Sequence, residues 1–245
     1  MKKKLKVLIA KILTLPIFGF IIKLVNGNFI AKDKLKFTID VEGISYKAIS
    51  SLYFGFYESA EIRFVKKYLR GDLPLIELGT SLGVISTYCN VINKKKLVCV
   101  EANPTLIPSI NKNFQLNNIE NYTIINAAIG YNNTMFFEPG KSNVSGKLSA
   151  TFNEQSIVVD MISLYSILNK YGIDEYILIC DIEGAEAQLL KNDFESLKNC
   201  RQIIIETHEG ELDGLKFSPL SLKKMIINLG FVLVDEYGSN FVFKK

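Results

Sequence analysis

From Leu73 to the C-terminus, short unbroken apolar runs alternate with stretches of helical spacing, and that pattern leaves few architectures open. Residues 73–78, 97–100, 122–128, 176–180 and 203–205 read as strands. Helical spacing marks 83–92, 105–116, 163–171, 185–191 and 220–229, the last closed by Gly230. Strands that are apolar throughout, rather than alternating, belong to a parallel sheet covered on both faces. Residues 231–234 and 241–243 are separated only by a short turn around Tyr237-Gly238-Ser239-Asn240, so they pair antiparallel. The expected fold is a doubly wound, mostly parallel α/β sheet with an antiparallel C-terminal hairpin. It occupies residues 71–245. Residues 31–70 form a helical preface, with a strand at 37–41 and one helix over 50–69 stopped near Gly71, and residues 1–30 are a separate basic and apolar segment.

In such sheets ligands bind beyond the carboxyl ends of the strands. The first end carries Glu77-Leu78-Gly79-Thr80-Ser81-Leu82-Gly83. Gly79 permits a sharp turn and close backbone approach, and Gly83 opens the next helix, whose amides can meet an anionic or polar group. Two glycines four apart serve equally well as a tight turn without a ligand. Glu101 ends the second strand, 24 residues after Glu77. A carboxylate at that place accepts both ribose hydroxyls, so the pair of features reads as a nucleoside site. Position 81 is serine, which breaks the dinucleotide glycine pattern, and no P-loop lysine follows the turn.

The fourth strand end reads Cys180-Asp181-Ile182-Glu183-Gly184-Ala185-Glu186, three acids in six residues. Acids at a helix start also simply complement its dipole, but these fall on the ligand edge. The fifth end reads Glu206-Thr207-His208-Glu209, with the sole histidine of the chain. Its ordinary pKa suits proton removal near neutrality.

Composition bounds the partners. The net charge of +4 is concentrated in Lys2, Lys3, Lys4, Lys6 and Lys11, and the remaining residues are near neutral. No basic surface for nucleic acid is therefore expected on the folded domain. The apolar run between Lys11 and Lys23 is too short to span a bilayer. Two readings of residues 1–25 stand side by side: a helix lying in a membrane interface, or one packed on the domain with its lysines in water. The expected location is the cytoplasm, with the inner face of the membrane as the alternative that this segment raises. Cys89, Cys99, Cys180 and Cys200 share no metal-type spacing and read as buried free thiols. The polar stretch 138–156 reads as a long loop at the ligand edge, either a lid or a plain connection.

Together these strand-end motifs resemble the FkbM-type family of class I S-adenosylmethionine-dependent methyltransferases, which have a Rossmann-like sheet. The resemblance rests on residues 76–83, Val100-Glu101-Ala102-Asn103-Pro104, Asn126-Ala127-Ala128-Ile129-Gly130, residues 180–186 and Ile205-Glu206-Thr207-His208. It implies a cofactor, S-adenosylmethionine, and methylation of a hydroxyl on a sugar, glycolipid or related small molecule. Glu77, Gly79, Thr80, Ser81 and Gly83 would line the methionine end and Glu101 with Ala102 the ribose. Asn126 and Ala127 would lie near the adenine, and Asp181 and Glu183 would border the reacting methyl. His208 or Asp181 is the candidate base. The chain departs from the family in four places: Glu77 and Ser81 stand for the usual Asp and Asn, Cys180 for a common lysine and Ser163 for a common aspartate. A site without metal is expected, with a divalent cation on Asp181, Glu183, Glu206 and His208 as the less favoured variant. The alternative function is a cofactor-binding protein of the same fold without turnover.

Overall fold

The computed structural model describes residues 2–131, 134–139, 146–149, 156–212 and 214–245. The chain opens with α1 (Lys2–Leu13) and α2 (Pro16–Asn26), a hairpin of β1 (Phe29–Lys32) and β2 (Leu35–Thr38), then α3 (Tyr46–Phe54) and α4 (Ser59–Tyr68). The alternating part runs β3 (Leu75–Leu78), α5 (Val84–Ile92), β4 (Leu97–Glu101), α6 (Ile107–Leu116) and β5 (Tyr122–Asn126). A small sheet follows, with β6 (Ala128–Ile129), β7 (Thr134–Pro139), β8 (Gly146–Ser149) and β9 (Ile157–Ile162). The main pattern resumes with α7 (Leu164–Tyr171), β10 (Tyr176–Cys180), α8 (Glu186–Asn192) and β11 (Cys200–Glu206). A hairpin of β12 (Gly210–Leu212) and β13 (Leu215–Phe217), then α9 (Pro219–Asn228), β14 (Val232–Tyr237) and β15 (Asn240–Lys244), complete the chain.

The main sheet has seven strands in the order β14-β15-β11-β10-β3-β4-β5. β3, β4, β5, β10 and β11 are mutually parallel, and β15 runs antiparallel to both β11 and β14. The expected doubly wound sheet is therefore present. Its C-terminal hairpin is inserted so that β15 lies inside and β14 forms the edge; β15 is the single reversed strand. The chain winds outward from β3 through β4 to β5, then returns to β10 on the other side. The switch point lies between β3 and β10, where a ligand crevice is expected.

Strand residues alternate between two apolar layers, the reason the runs read as continuous. Leu75, Leu97, Cys99, Ile177, Ile179 and Ile204 face one cluster, while Ile76, Leu78, Val98, Val100, Leu178 and Ile203 face the other. The preface is part of the first cluster, since Phe37, Ile49, Leu52 and Phe64 pack there with Ile85, Ile110 and Phe114. Burying a side chain of this size stabilises by roughly 1.5–3 kcal/mol. Asn113, fully buried on α6, accepts the Thr38 N–H at 2.7 Å and donates to the Leu82 carbonyl at 2.7 Å. It thereby ties β2 to the glycine turn. All four cysteines are buried and unpaired.

Three expectations require correction. The helix expected over 50–69 is two helices, because Gly55 adopts φ 76° and closes α3, and α4 restarts after Glu58 at φ 46°. It ends at Tyr68, with Leu69 already extended, so Gly71 is not the stop. The strand expected over 122–128 ends at Asn126, and Ala128–Ile129 pairs with β9 in the smaller sheet instead. The polar stretch 138–156 contains the end of β7 and all of β8, which pair antiparallel; residues 140–145 and 150–155 lie outside the described residues.

Candidate active site at the carboxyl ends of the parallel strands

Backbone geometry builds the β3–β4 side of the switch point. Gly79 turns with φ 82°, and its N–H donates to the Val100 carbonyl of β4 at 2.9 Å. A Cβ at Gly79 would lie 1.7 Å from the Asp181 carbonyl oxygen, so only glycine lets the ends of β3 and β10 approach so closely. Ser81 follows at φ 50°, and Gly83 at φ 72° opens α5. Six non-glycine residues are left-handed among the described residues, and three of them, Glu58, Ser81 and Glu183, belong to the loops that meet here. Such conformations cost of order 1–3 kcal/mol each and persist where surrounding structure enforces them.

Glu101 ends β4 beneath this turn. Its Oε2 accepts the Ser81 N–H at 2.7 Å and its Oε1 the Asn103 N–H at 2.8 Å. Burial raises its pKa to about 7, opposed by those two backbone bonds. Each oxygen keeps a second lone pair, so the carboxylate can still receive two hydroxyls. Asn126 donates to the carbonyls of Glu101 at 2.9 Å and Ala102 at 3.2 Å, and the Ala127 N–H donates to the Glu101 carbonyl at 3.1 Å. Both residues thus fix the loop that carries the acid. Ala127 is itself buried. Glu77 is 2% exposed, and its carboxyl accepts a hydrogen bond from Ser86 of α5 with the Cys99 thiol at 3.8 Å. It lies under the turn, where burial pushes its pKa to about 8.

The edge beyond β10 and β11 is acidic. Asp181 follows β10, its N–H donating to the Leu78 carbonyl at 2.9 Å, and its Oδ1 is buried without a partner. Burial, then Glu206, raises its pKa to about 7, while His208 opposes the rise. His208 Nδ1 sits 2.9 Å from Glu186 Oε1, and Nε2 lies 3.5 Å from Glu183 Oε2 and 3.8 Å from Asp181 Oδ1. Glu186 is wholly buried and held by the Gly184 N–H at 3.1 Å. The contact with Glu186 is the main cause that raises the His208 pKa to about 9. Without another ligand the ring is therefore protonated at neutral pH. Glu183, half exposed, is the outermost acid of the group.

Pattern reading missed the contribution of the preface. Tyr57 Oη lies 2.9 Å from Ser81 Oγ, tying the α3–α4 connection to the glycine turn. Glu58 and Glu61 reach the same edge: Glu61 is 5% exposed, hydrogen-bonds through its carboxyl to Glu206, and is pushed to about 8 chiefly by burial. Glu58 Oε2 and Glu61 Oε1 have no partner. An acid at a helix start reads from sequence as a dipole complement, and nothing local says that α4 folds back over β11 and β15. Of the family departures, Ser163 caps α7 by accepting the Ser166 N–H at 3.1 Å, and Cys180 is a buried thiol.

The model of the FkbM methyltransferase domain matches residues 77–233. Ribosomal protein L11 methyltransferase of Clostridium perfringens strain SM101 is 23% identical over 112 residues, 46% of this chain and 33% of that protein. The match thus spans a third of the length of these curated relatives. Among solved structures, precorrin-6y C5,15-methyltransferase from Geobacter metallireducens is 11% identical with a TM-score of 0.44, covering 87% of this chain and 94% of that one. The ribosomal protein L11 methylase from Lactobacillus delbrueckii subsp. bulgaricus is 11% identical with a TM-score of 0.41, covering 76% and 75%. With the strand order, the glycine turn and the acids at three strand ends in place, the match to well over half of the chain makes it a member of the FkbM methyltransferase domain family, of the class I S-adenosylmethionine-dependent type.

Proposed function

We propose that the chain is an S-adenosylmethionine-dependent methyltransferase that methylates a hydroxyl on a sugar, glycolipid or related metabolite. The observation that carries this reading is Glu101, held by two backbone N–H groups beside a glycine turn at the topological switch point. A carboxylate so fixed suits a ribose diol. The turn 79–83 would then lie along the methionine end of the cofactor, and Asn126 and Ala127 beside the adenine. The sulfonium methyl would face the ends of β10 and β11. In the reaction the acceptor oxygen forms a bond to the methyl carbon while the carbon–sulfur bond breaks and its electron pair stays on sulfur. The hydroxyl proton leaves to a carboxylate of this edge, Asp181 or Glu183. His208, engaged by Glu186, orients that group rather than standing free as a base. Alignment of acceptor and methyl supplies much of the rate in transfers of this kind.

Methyl transfer from labelled S-adenosylmethionine to cell-envelope sugar extracts tests the reading. Label in a base-stable ether on a sugar is the expected result. Cofactor binding without label in any hydroxyl across a broad glycan panel would favour a binding protein without turnover, and label in protein or RNA would move the acceptor class.

The first 25 residues fit a membrane surface of anionic lipid. Gly19 of α2 packs so tightly on α3 that a Cβ would lie 1.7 Å from the Tyr46 carbonyl oxygen. Away from α3, α2 leaves Ile17, Ile21, Leu24 and Val25 exposed, and α1 adds Leu8, Ile9 and Ile12. Lysines crowd the same segment, and no helix among the described residues is long and apolar enough to cross a membrane. Apolar side chains flanked by lysines suit the headgroup boundary. Co-sedimentation with phosphatidylglycerol vesicles but not with phosphatidylcholine vesicles is expected, with loss in a Leu24→Glu, Val25→Glu variant; a full chain that stays off both vesicles would remove the idea.

A further inference from the structure

The ends of β10 and β11 gather more carboxylate than the protein itself neutralises. Asp181 feels Glu206, Glu183 and Glu186, with His208 as the opposing group. Glu61 adds a carboxyl against Glu206, and its Oε1, like Asp181 Oδ1, is buried with no partner. Leaving such an oxygen unsatisfied is costly, because it has given up water without gaining a partner. A buried acidic set of this kind calls for protons or a cation.

The placing of His208 distinguishes the two. Glu186 is wholly buried and pinned by the Gly184 N–H, and it engages Nδ1 at 2.9 Å. Nε2 is thereby aimed at Asp181 and Glu183. A carboxylate fixed behind one ring nitrogen is the device that orients imidazoles toward metals. At 3.8 Å, Nε2 and Asp181 Oδ1 are too far apart to hydrogen-bond. Two ligands each ~2.1 Å from one ion lie about 3.0 Å apart when adjacent and about 4.2 Å apart when opposite, which brackets this separation. One ligand atom from each of Asp181, Glu206 and His208 lies within 4.8 Å of the others. Ser239 donates to Glu206 Oε1 at 2.9 Å, which fixes that carboxylate at the edge.

We propose that Asp181, Glu206 and His208 form a binding site for a divalent first-row cation of the Mn²⁺ type, with Glu61 as the neighbouring carboxylate. One imidazole nitrogen among carboxylate oxygens favours such an ion over Ca²⁺, which takes oxygen alone. Three protein ligands leave positions for water and for two oxygens of an acceptor. The inference rests on the proposed acceptor side of the crevice and narrows the acceptor to one with adjacent hydroxyls, such as a sugar diol. Coordination lowers the pKa of the bound hydroxyl, and Glu183, outside the set, remains to take its proton.

Mn²⁺ titration of the metal-free full chain, read by loss of the free-ion electron paramagnetic resonance signal, tests the proposal. One Mn²⁺ per chain is expected. His208→Ala and Glu206→Gln should each weaken it at least ten-fold, and Glu186→Gln about 10–100-fold through loss of ring orientation. S-adenosylhomocysteine titration of the same variants serves as the measure of an intact fold. No Mn²⁺ bound by a wild-type chain that binds S-adenosylhomocysteine would overturn the cation site alone, as would Mn²⁺ binding equal in wild type and all three folded variants. Failure of wild type to bind S-adenosylhomocysteine would instead overturn the methyltransferase reading.

Discussion

The two halves of the ligand edge are built on opposite plans. On the side of β3, β4 and β5, each polar group described has a partner within the protein: Glu101 is met by two backbone N–H groups, Asn126 by two carbonyls, and Ser81 by Tyr57. On the side of β10 and β11, oxygens of Asp181, Glu58 and Glu61 are buried without partners. The first half is held together by its own hydrogen bonds. The second leaves buried oxygens without a partner among the described residues.

The join between the halves should be the most sensitive point. Gly79→Ala places a Cβ against the Asp181 carbonyl and strains a positive φ, so a loss on the order of 3–5 kcal/mol, or failure to fold, is expected in urea denaturation. A loss below ~1 kcal/mol would mean the halves do not meet so closely.

Next in size is a pH effect under the first half. Glu77 is held near pKa 8 by burial, against 4.5 as its reference value. The folded state therefore binds the proton more tightly than the unfolded state. Stability falls as pH rises from about 4.5 to about 8 and then levels. Glu77→Gln should remove its share of that slope, on the order of a few kcal/mol between pH 5 and pH 9. An unchanged slope would show that the carboxyl is not buried as described. Ser86→Ala, which takes away its hydroxyl partner, should cost ~1–3 kcal/mol at neutral pH. Smallest is Asn126→Ala. It loosens the Glu101 loop without touching the acid, and should weaken S-adenosylhomocysteine binding by a few-fold, with no change in Mn²⁺ binding. A loss of Mn²⁺ binding in that variant would tie the two halves together more closely than the geometry does.

The ends of β3 and β4 were legible in the sequence because their logic is local. A strand, a glycine turn and an acid at the next strand end recur at fixed spacing, and residues 77–83 and Glu101 fall where that spacing puts them. The strand ends at Asp181 and His208 were legible for the same reason. What the sequence could not convey is the return of the preface: Tyr57, Glu58 and Glu61 reach the edge only because Gly55 breaks a helix that apolar spacing alone would continue. The four-stranded sheet of β6–β9 was also hidden, since its short and partly polar strands lack the apolar continuity that marks a strand buried on both faces. Glu77 looked like part of the ligand edge from its place in the motif, yet the pleat turns it toward α5 and Ser86.

The central claim is that the crevice between β3 and β10 holds S-adenosylmethionine through Glu101. Calorimetric titration of the full chain with S-adenosylhomocysteine, wild type against Glu101→Ala, tests it most directly. One-to-one binding by the wild type, weakened at least about ten-fold in the variant through loss of charge-assisted hydrogen bonds, is the expected result. No binding by the wild type, or equal affinity in a folded variant, would contradict it.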